Sequence, residues 1–317
     1  MKVSVAIITY NHELFIAPAI VSVLAQQTNF DFELIIGDDC SSDRTREIVL
    51  DYQKRFPRKV RVLPDESSLG MHRNLARTLG ACGGDYVALL EGDDCWTSKR
   101  KLQKQADFLD RDSSCSICFH PVNWFYEDDH AGDGRPDHNT EWPLDHRGYS
   151  TIEDLLGEMF IQTASVMFRN GLIGEYPKML DDLKMADWPL YLLIADHGRI
   201  GCLDEVMSAY RNHAGGVWFS LEDEVRYRQV IKMYELLDAH FENRYAHIIT
   251  PLLAQYHSKL ANFYDQAGSR DRALPAVARS VAAGLQSGNM PTLNLLKMLA
   301  RLSFPTVYRL SKRLRKA

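Results

Sequence analysis

No apolar run in this 317-residue chain is long enough to span a bilayer. Met1 leads straight into a strand-like segment, so no secretory leader is expected. Basic charge is not in excess. The chain carries 37 Lys and Arg against 42 Asp and Glu, a net charge of −5, which argues against a nucleic-acid binder and its basic face. Cysteine is sparse: Cys40, Cys82, Cys95, Cys115, Cys118 and Cys202 are scattered through apolar segments, which suits free thiols in a reducing cytoplasm. Cys115 and Cys118 form a CxxC, but no second Cys/His pair follows at zinc spacing, so buried thiols are expected there. Glycine is missing where a dinucleotide fold needs it. The segment after Val3–Thr9 reads YNHELF, with no GxGxxG and no Gly-rich loop bearing Arg and Lys, which excludes a dehydrogenase and a sugar-nucleotide pyrophosphorylase.

What is present is a run of apolar segments ending in carboxylates. With 45% hydrophobic and 25% charged residues, the chain has core enough for one large domain or one domain plus an appendage. Val3–Thr9 reads as a β-branched strand, followed through Tyr10-Asn11-His12 by an amphipathic helix carrying Leu14, Ile20, Val23 and Leu24. Phe32–Gly37 is a second strand ending at Asp38 and Asp39, with Asp43 as the expected N-cap of the next helix. A short strand at Val60–Leu63, a polar turn and a helix through Asn74 and Leu79 lead to the strand Asp85–Leu90. That strand runs into Glu91, Gly92, Asp93 and Asp94. Strands alternating with helices imply a mainly parallel sheet of Rossmann type covered on both faces, whose ligands sit at the carboxyl ends of the strands. Two adjacent carboxylates there repel each other unless a cation lies between them and something else, and a divalent metal against a diphosphate meets that need.

The middle of the chain is less regular. Ser116–Phe125 reads as a strand, Tyr126–Gly148 as a long exposed loop able to act as a lid, Gln162–Phe168 as a strand and Ile200–Tyr210 as another. Ala186-Asp187-Trp188-Pro189 opens an apolar helix. From Ser220 onward the period is helical only. Ser220-x-x-Asp223 resembles a capping box, and Thr250-Pro251 is expected to open the next helix. Tyr256–Gly284 has the spacing of a helical hairpin. Leu293–Ala317 contains Leu295, Leu296, Leu299, Leu302 and Phe304 among seven basic residues and no acidic one, which reads either as a membrane-surface segment or as a bundle-closing helix with a solvated tail.

VSVAIITYNH, FELIIGDDCSSDRT, GMHRNLA, GDYVALLEGDD, the Asp187-Trp188 pair and YRNH, in that order, resemble the motifs of family 2 glycosyltransferases of the GT-A fold. The resemblance covers about the first two-thirds of the chain. It implies a glycosyltransferase domain over 1–219 followed by an all-α region over 220–317, and inverting transfer from a nucleotide diphosphate sugar, UDP-sugars favoured, with Mn²⁺ or Mg²⁺. The acceptor it implies is a hydroxyl of a growing surface polysaccharide or lipid-linked glycan, and the location is the cytoplasm or the inner face of an anionic membrane. The other reading is a weakly catalytic scaffold acting through its C-terminal helices, which four intact acidic positions argue against.

By the same resemblance Thr9, Tyr10 and Asn11 line the nucleotide base, which Tyr10 can stack on. Asp39 matches the residue that accepts the base N–H near the ribose, with Asp38 the next candidate, and Arg73 lies beside the nucleotide. Asp93 and Asp94 match the DxD-like pair, Asp94 on the metal and Asp93 on the ribose or the metal, with His213 completing the metal's shell. Hard cations prefer such oxygen ligands. Asp187 matches the catalytic base, although Ala186 replaces the Glu that ordinarily precedes it. An inverting transfer needs one carboxylate to take the acceptor's proton during attack. Glu91 is a candidate sugar contact, while Trp188 and Trp218 either stack on sugar faces or simply pack.

Overall fold

The computed structural model describes residues 1–63, 66–126, 148–212, 218, 221–289 and 292–304. The chain divides into two compact units, one built from Met1–Asp182 and Ala186–Gly216, the other from Leu183–Met185 and Val217–Ala317.

In the first unit, β1 (Val3–Thr9), α1 (Ile16–Leu24), β2 (Phe32–Asp38), α2 (Thr45–Arg55), β3 (Val60–Leu63), α3 (Met71–Gly80) and β4 (Tyr86–Glu91) alternate as the sequence predicts. They are followed by β5 (Cys95–Trp96), α4 (Lys101–Arg111), β6 (Cys115–Phe119), β7 (Val122–Tyr126), β8 (Tyr149–Ser150) and α5 (Ile152–Gly157). The last elements of the unit are β9 (Met167–Arg169), α6 (Asp187–Ala195), β10 (Arg199–Cys202) and β11 (Ser208–Asn212). Eight strands form one sheet in the order β3-β2-β1-β4-β9-β6-β10-β8, and β5-β11-β7 form a second. β1 pairs in parallel with β2 and β4, β2 with β3, and β6 with β10, whereas β9 runs against both β4 and β6. The strands ending at Leu63, Asp38, Thr9, Glu91, Phe119 and Cys202 therefore all point the same way. Their carboxyl ends form one edge.

Burial explains why β1 is central. Val3, Val5 and Ile7 are fully buried against Ile16, Ile20 and Val23 of α1, side chains whose spacing puts them on one helix face. Removing one such side chain to Ala costs about 2–5 kcal/mol. Helix α3 lies close on β2 because Gly37 has no side chain: a Cβ there would collide with Thr78 Oγ1 and sit 2.6 Å from Asn74 Oδ1. Asn74 uses that closeness to donate to the Gly37 carbonyl at 2.8 Å.

Three expected strands are each broken in two. Ser116–Phe125 becomes β6 and β7, in different sheets, because Pro121 lacks an N–H and restricts His120 before it. Ile200–Tyr210 becomes β10 and β11, again in different sheets, and Gln162–Phe168 is a 3₁₀ turn at Thr163–Ser165 followed by β9. The expected Asp43 cap is displaced by one residue: α2 begins at Thr45 with Arg44 as N-cap, and Asp43 Oδ1 accepts the Thr45 N–H at 2.9 Å. Residues 127–147 of the expected lid lie outside the described residues. All six cysteines are free, as expected.

The second unit holds α7 (Asp223–His240), α8 (Ala246–Gln266), α9 (Arg270–Gln286) and α10 (Leu293–Ser303). Ile231, Leu260, Ala261, Tyr264, Ala273, Val277, Leu295 and Leu302 form its core. Glu222 is the N-cap of α7, so Asp223 stands at the first helical position and does not close a box from Ser220, which lies outside the described residues. Pro251 does not open α8 but sits inside it, as Pro275 does in α9. Each is the sixth residue of its helix, where the missing N–H leaves the carbonyl four residues back without its helical bond.

Candidate active site

The acidic turn after β4 is the centre of the carboxyl edge. Glu91, Asp93 and Asp94 each place a carboxylate oxygen within 4.8 Å of the others. Gly92 permits this turn: a Cβ would lie 2.5 Å from Thr9 Oγ1 and 2.7 Å from His12 Nδ1, so the turn nests against the end of β1. Asp94 is 2% exposed; its Oδ1 accepts the Arg211 N–H at 2.7 Å, while its buried Oδ2 has no hydrogen-bond partner among the described residues. His12 Nε2 stands 3.8 Å from Asp93 Oδ2.

Burial raises the Asp94 carboxyl well above its ordinary value, with a contribution from Asp93 and an opposing one from Arg211. Glu91 is raised for the same first reason and then by the charges of Asp93, Asp94 and Asp187. Asp187 thus belongs to the same electrostatic site. It is the first residue of α6, its Oδ1 accepts the Trp188 N–H at 2.8 Å, and burial lifts its carboxyl against that hydrogen bond. The phenols of Tyr191 and Tyr210 are raised first by burial and then by charges of this group, and that of Tyr176 by burial and then by Asp187 and Asp181. A buried carboxylate oxygen with no donor, among carboxylates that raise one another, fits a hard divalent cation. Glu91, Asp93 and Asp94 could together hold such an ion.

The nucleotide-side candidates are placed unevenly. Tyr10 is exposed at the end of β1, its ring open to solvent. Asn11, with φ of 55°, accepts the Ser42 N–H at 2.8 Å and fixes the loop beside it. Thr9 is buried, and its carbonyl accepts the Asp39 N–H at 3.0 Å. Asp38 and Asp39 are buried at the end of β2. Asp38 holds the Ser41 hydroxyl, and the Asp39 carboxylate accepts from Ser68 Oγ and from the N–H groups of Leu69 and Gly70, which leaves it little capacity for a ligand.

Two candidates have partners that the sequence did not show. Arg73 pairs with Asp181 at 3.1 Å; the α3 cation that reaches the Asp38 carbonyl is Arg77, one turn further on, at 3.4 Å. Trp188 is 7% exposed and its Nε1 donates to the Leu155 carbonyl at 2.8 Å, which favours packing over stacking on a sugar. Trp218 belongs to the second unit, where its carbonyl accepts the Leu221 N–H at 3.3 Å. His213 lies outside the described residues.

Sequence reasoning did not single out Arg211 or Tyr176. Arg211 stood inside the quoted YRNH segment, but only the pairing of β11 with β5 shows that its backbone reaches Asp94. Tyr176 has no local signal and is joined to the site through α3.

A sheet of this order with an acidic cluster at the carboxyl ends, followed by helices, is the GT-A glycosyltransferase architecture. The chain belongs to glycosyl transferase family 2, whose model matches residues 4–175. It is 41% identical over 216 residues to TuaG of Bacillus subtilis (strain 168), a glycosyltransferase named for teichuronic acid biosynthesis, covering 66% of this chain and 78% of that one. It is 39% identical over 217 residues to an uncharacterized protein of Mycobacterium tuberculosis H37Rv, covering 68% of this chain. The chain spans 60% of that relative's length. Among solved structures it resembles Staphylococcus aureus TarS 1–349 in complex with UDP-GlcNAc, with a TM-score of 0.58 and 20% identity over 91% of this chain and 93% of that one.

Proposed function

We propose that this glycosyltransferase moves a sugar from a UDP-sugar to a hydroxyl of a growing surface polysaccharide or lipid-linked glycan, with inversion and with a divalent cation. The observation that carries the reading is the cluster of Glu91, Asp93 and Asp94 at the carboxyl edge, with the Asp187 charge among those that raise the Glu91 carboxyl. The pair Asp93 and Asp94 would hold Mn²⁺ or Mg²⁺, which supplies charge neutralisation for the departing nucleoside diphosphate. Asp187, raised by burial, is a better proton acceptor than a solvated carboxylate and takes the proton of the attacking hydroxyl. Tyr10 at the rim stacks on the base, with Asn11, Asp38 and Asp39 shaping that end of the cleft. The UDP-GlcNAc bound to TarS and the biosynthetic name of TuaG support the donor and acceptor classes.

The test is Asp187→Asn assayed with a panel of UDP-sugars and Mn²⁺. Turnover should fall by roughly 10²–10⁴-fold with donor affinity kept, and the wild-type product should carry inverted anomeric configuration. A retained configuration, or full activity in the variant, overturns the assignment.

A further inference from the structure

The small sheet starts where the acidic turn ends. β5 follows Asp94 directly, and β11 pairs with β5 on one side and with β7 on the other. Side chains along β11 alternate between its two faces. On one face the Arg211 guanidinium lies over the Phe15 ring. On the other the Ser208 hydroxyl donates to the Ala164 carbonyl at 2.7 Å, in the 3₁₀ turn that leads into β9. Tyr210, two residues beyond Ser208, shares that second face.

Trp124 of β7 stands opposite Tyr210 in the strand register, and the two ring centroids lie 4.6 Å apart with a tilt of 56°. Both side chains are half-buried. The pair is tied to the acidic turn by contacts. Arg211, the residue after Tyr210, donates its N–H to Asp94 Oδ1 at 2.7 Å and its Nε to the Asp93 carbonyl at 3.0 Å. No hydrogen bond engages the Tyr210 hydroxyl among the described residues. Burial and the charges of Glu91, Asp94, Asp187 and Asp93 raise its phenol, so it keeps its proton and has a donor to offer.

The order of the strands decides what would meet these rings. Tyr10 and Asp38, the base-side candidates, stand at the ends of β1 and β2, on one side of β4. The turn that Ser208 bonds leads into β9, on the other side of β4. A nucleotide with its base at β1 and β2 and its diphosphate at the turn after β4 carries its sugar onward, toward β9 and the small sheet.

We propose that Trp124 and Tyr210 form one wall of the donor-sugar subsite, an aromatic face lying along the C–H face of the pyranose and the Tyr210 hydroxyl bonding one of the sugar's own hydroxyls. This rests on the reading of the chain as taking a UDP-sugar. The tilt turns the two rings in different directions, so one meets the face of the sugar while the other meets its rim. The base lies at the other end of the cleft, so the wall adds to the affinity for the sugar and nothing to that for UDP.

The experiment titrates the full chain by calorimetry, with Mn²⁺ present, against UDP and against UDP-glucose, UDP-galactose, UDP-GlcNAc and UDP-GalNAc. The sugar nucleotide that binds the wild type most tightly is carried into the variants. Trp124→Ala should weaken it about tenfold and leave UDP binding unchanged, and Trp124→Phe, which keeps an aromatic face, should recover most of the loss. Tyr210→Phe keeps the ring pair and removes only the hydroxyl; it should weaken the sugar nucleotide by roughly three- to tenfold, again with UDP unchanged. If Trp124→Ala does not fold, Tyr210→Phe decides alone. Wild-type affinity for the sugar nucleotide in either folded variant overturns the proposal, since the rings then only pack one strand on another. Equal weakening of UDP and sugar nucleotide overturns it too, since the rings then act through the shape of the acidic turn. Failure of the parent reading looks different: a wild type that binds none of the four UDP-sugars removes the sugar-nucleotide donor itself, and the subsite with it.

Discussion

Arg211 and Asp94 are joined at 2.7 Å, the Arg211 backbone N–H on β11 donating to Asp94 Oδ1. The same residue's Nε donates to the Asp93 carbonyl at 3.0 Å, and its guanidinium lies 4.8 Å from the centre of the Phe15 ring. One residue of the small sheet therefore grips both members of the acidic pair and anchors them to the start of α1. The backbone bond occupies Oδ1 of Asp94, and the buried Oδ2 has no hydrogen-bond partner among the described residues.

Substitution cannot remove the backbone bond, so Arg211→Ala isolates the guanidinium. The turn keeps its sequence but loses a charge-assisted bond to Asp93 and a cation–π contact, the latter worth about 0.5–1 kcal/mol at an exposed site. Mn²⁺ affinity, measured by isothermal titration, should weaken about tenfold, and Arg211→Lys should recover only part of it because an ammonium lacks the planar fork. Unchanged Mn²⁺ affinity in Arg211→Ala would show that the grip plays no part in holding the ion.

The carboxylate cluster fixes the sign of a pH effect. Glu91, Asp94 and Asp187 all have folded-state pKa values above their ordinary ones, so between the two values the folded protein holds more protons than the unfolded one. Their contribution to stability is fully present below the unfolded carboxylate range and is lost as pH rises through the raised values. The metal-free protein should accordingly lose thermal stability from this cluster as pH climbs from about 4 toward neutrality. Mn²⁺ should restore it, most strongly at the upper end. Asp94→Asn removes one charge and should raise the metal-free Tm at pH 7.5 while abolishing the Mn²⁺-induced rise. A Tm that responds to Mn²⁺ equally in wild type and variant would mean that the ion binds elsewhere.

Lys101 gives the opposite sign. It is fully buried, its Nζ donates to Gln105 Oε1 at 2.7 Å and lies 4.3 Å from the centre of the Trp96 ring, and burial lowers its pKa to about 7. The unfolded lysine titrates near 10.5, so between about 7 and 10.5 the unfolded chain holds the extra proton. This lysine's contribution is present above the unfolded value and is lost as pH falls toward 7. Lys101→Met keeps the stem and removes the ammonium. It should raise Tm at pH 6 relative to wild type and raise it far less at pH 10, a difference that paired denaturation curves at the two pH values would read. An equal shift at both would assign the effect to packing alone.

The alternating first half of the fold was legible because each strand and helix there carries its own period and its own stop. Glu91, Asp93 and Asp94 were legible because an apolar strand ends in them. The broken strands were not: Pro121 interrupts only Ser116–Phe125, and which sheet each half joins depends on partners far along the chain. Arg73 and Arg77 share a helix and differ by one turn, so composition cannot say which reaches Asp38. Trp188 looks the same in sequence whether it stacks on a sugar or donates to Leu155. Tyr176 was invisible because its hydrogen bond runs to His72, 104 residues away.

The final prediction concerns a lipid surface. No described helix is long and apolar enough to cross a membrane. Helix α10 buries Leu295 and Leu302 in its own unit but turns Leu293 and Leu296 outward, with Phe304 exposed just beyond its end. Lys297 lies among these outward positions, and the sequence then supplies Arg309, Lys312, Arg313, Arg315 and Lys316 with no acidic residue. An apolar stripe flanked by basic charge matches an anionic bilayer, to which each basic side chain near the surface adds roughly 1 kcal/mol. Removing all of α10 would be a poor test, because Arg270 donates to the Leu302 carbonyl at 2.8 Å and the unit would lose core. Deleting residues 305–317 spares that core. The full chain should sediment with phosphatidylglycerol vesicles at low salt, ignore phosphatidylcholine vesicles, and come free as salt screens the charge. The deletion should abolish the binding, and Leu293→Glu with Phe304→Glu should weaken it, with Tm unchanged in both. If the full chain ignores the anionic vesicles at low salt, the basic segment is a solvated tail, and a membrane-borne acceptor loses its support from this end of the molecule.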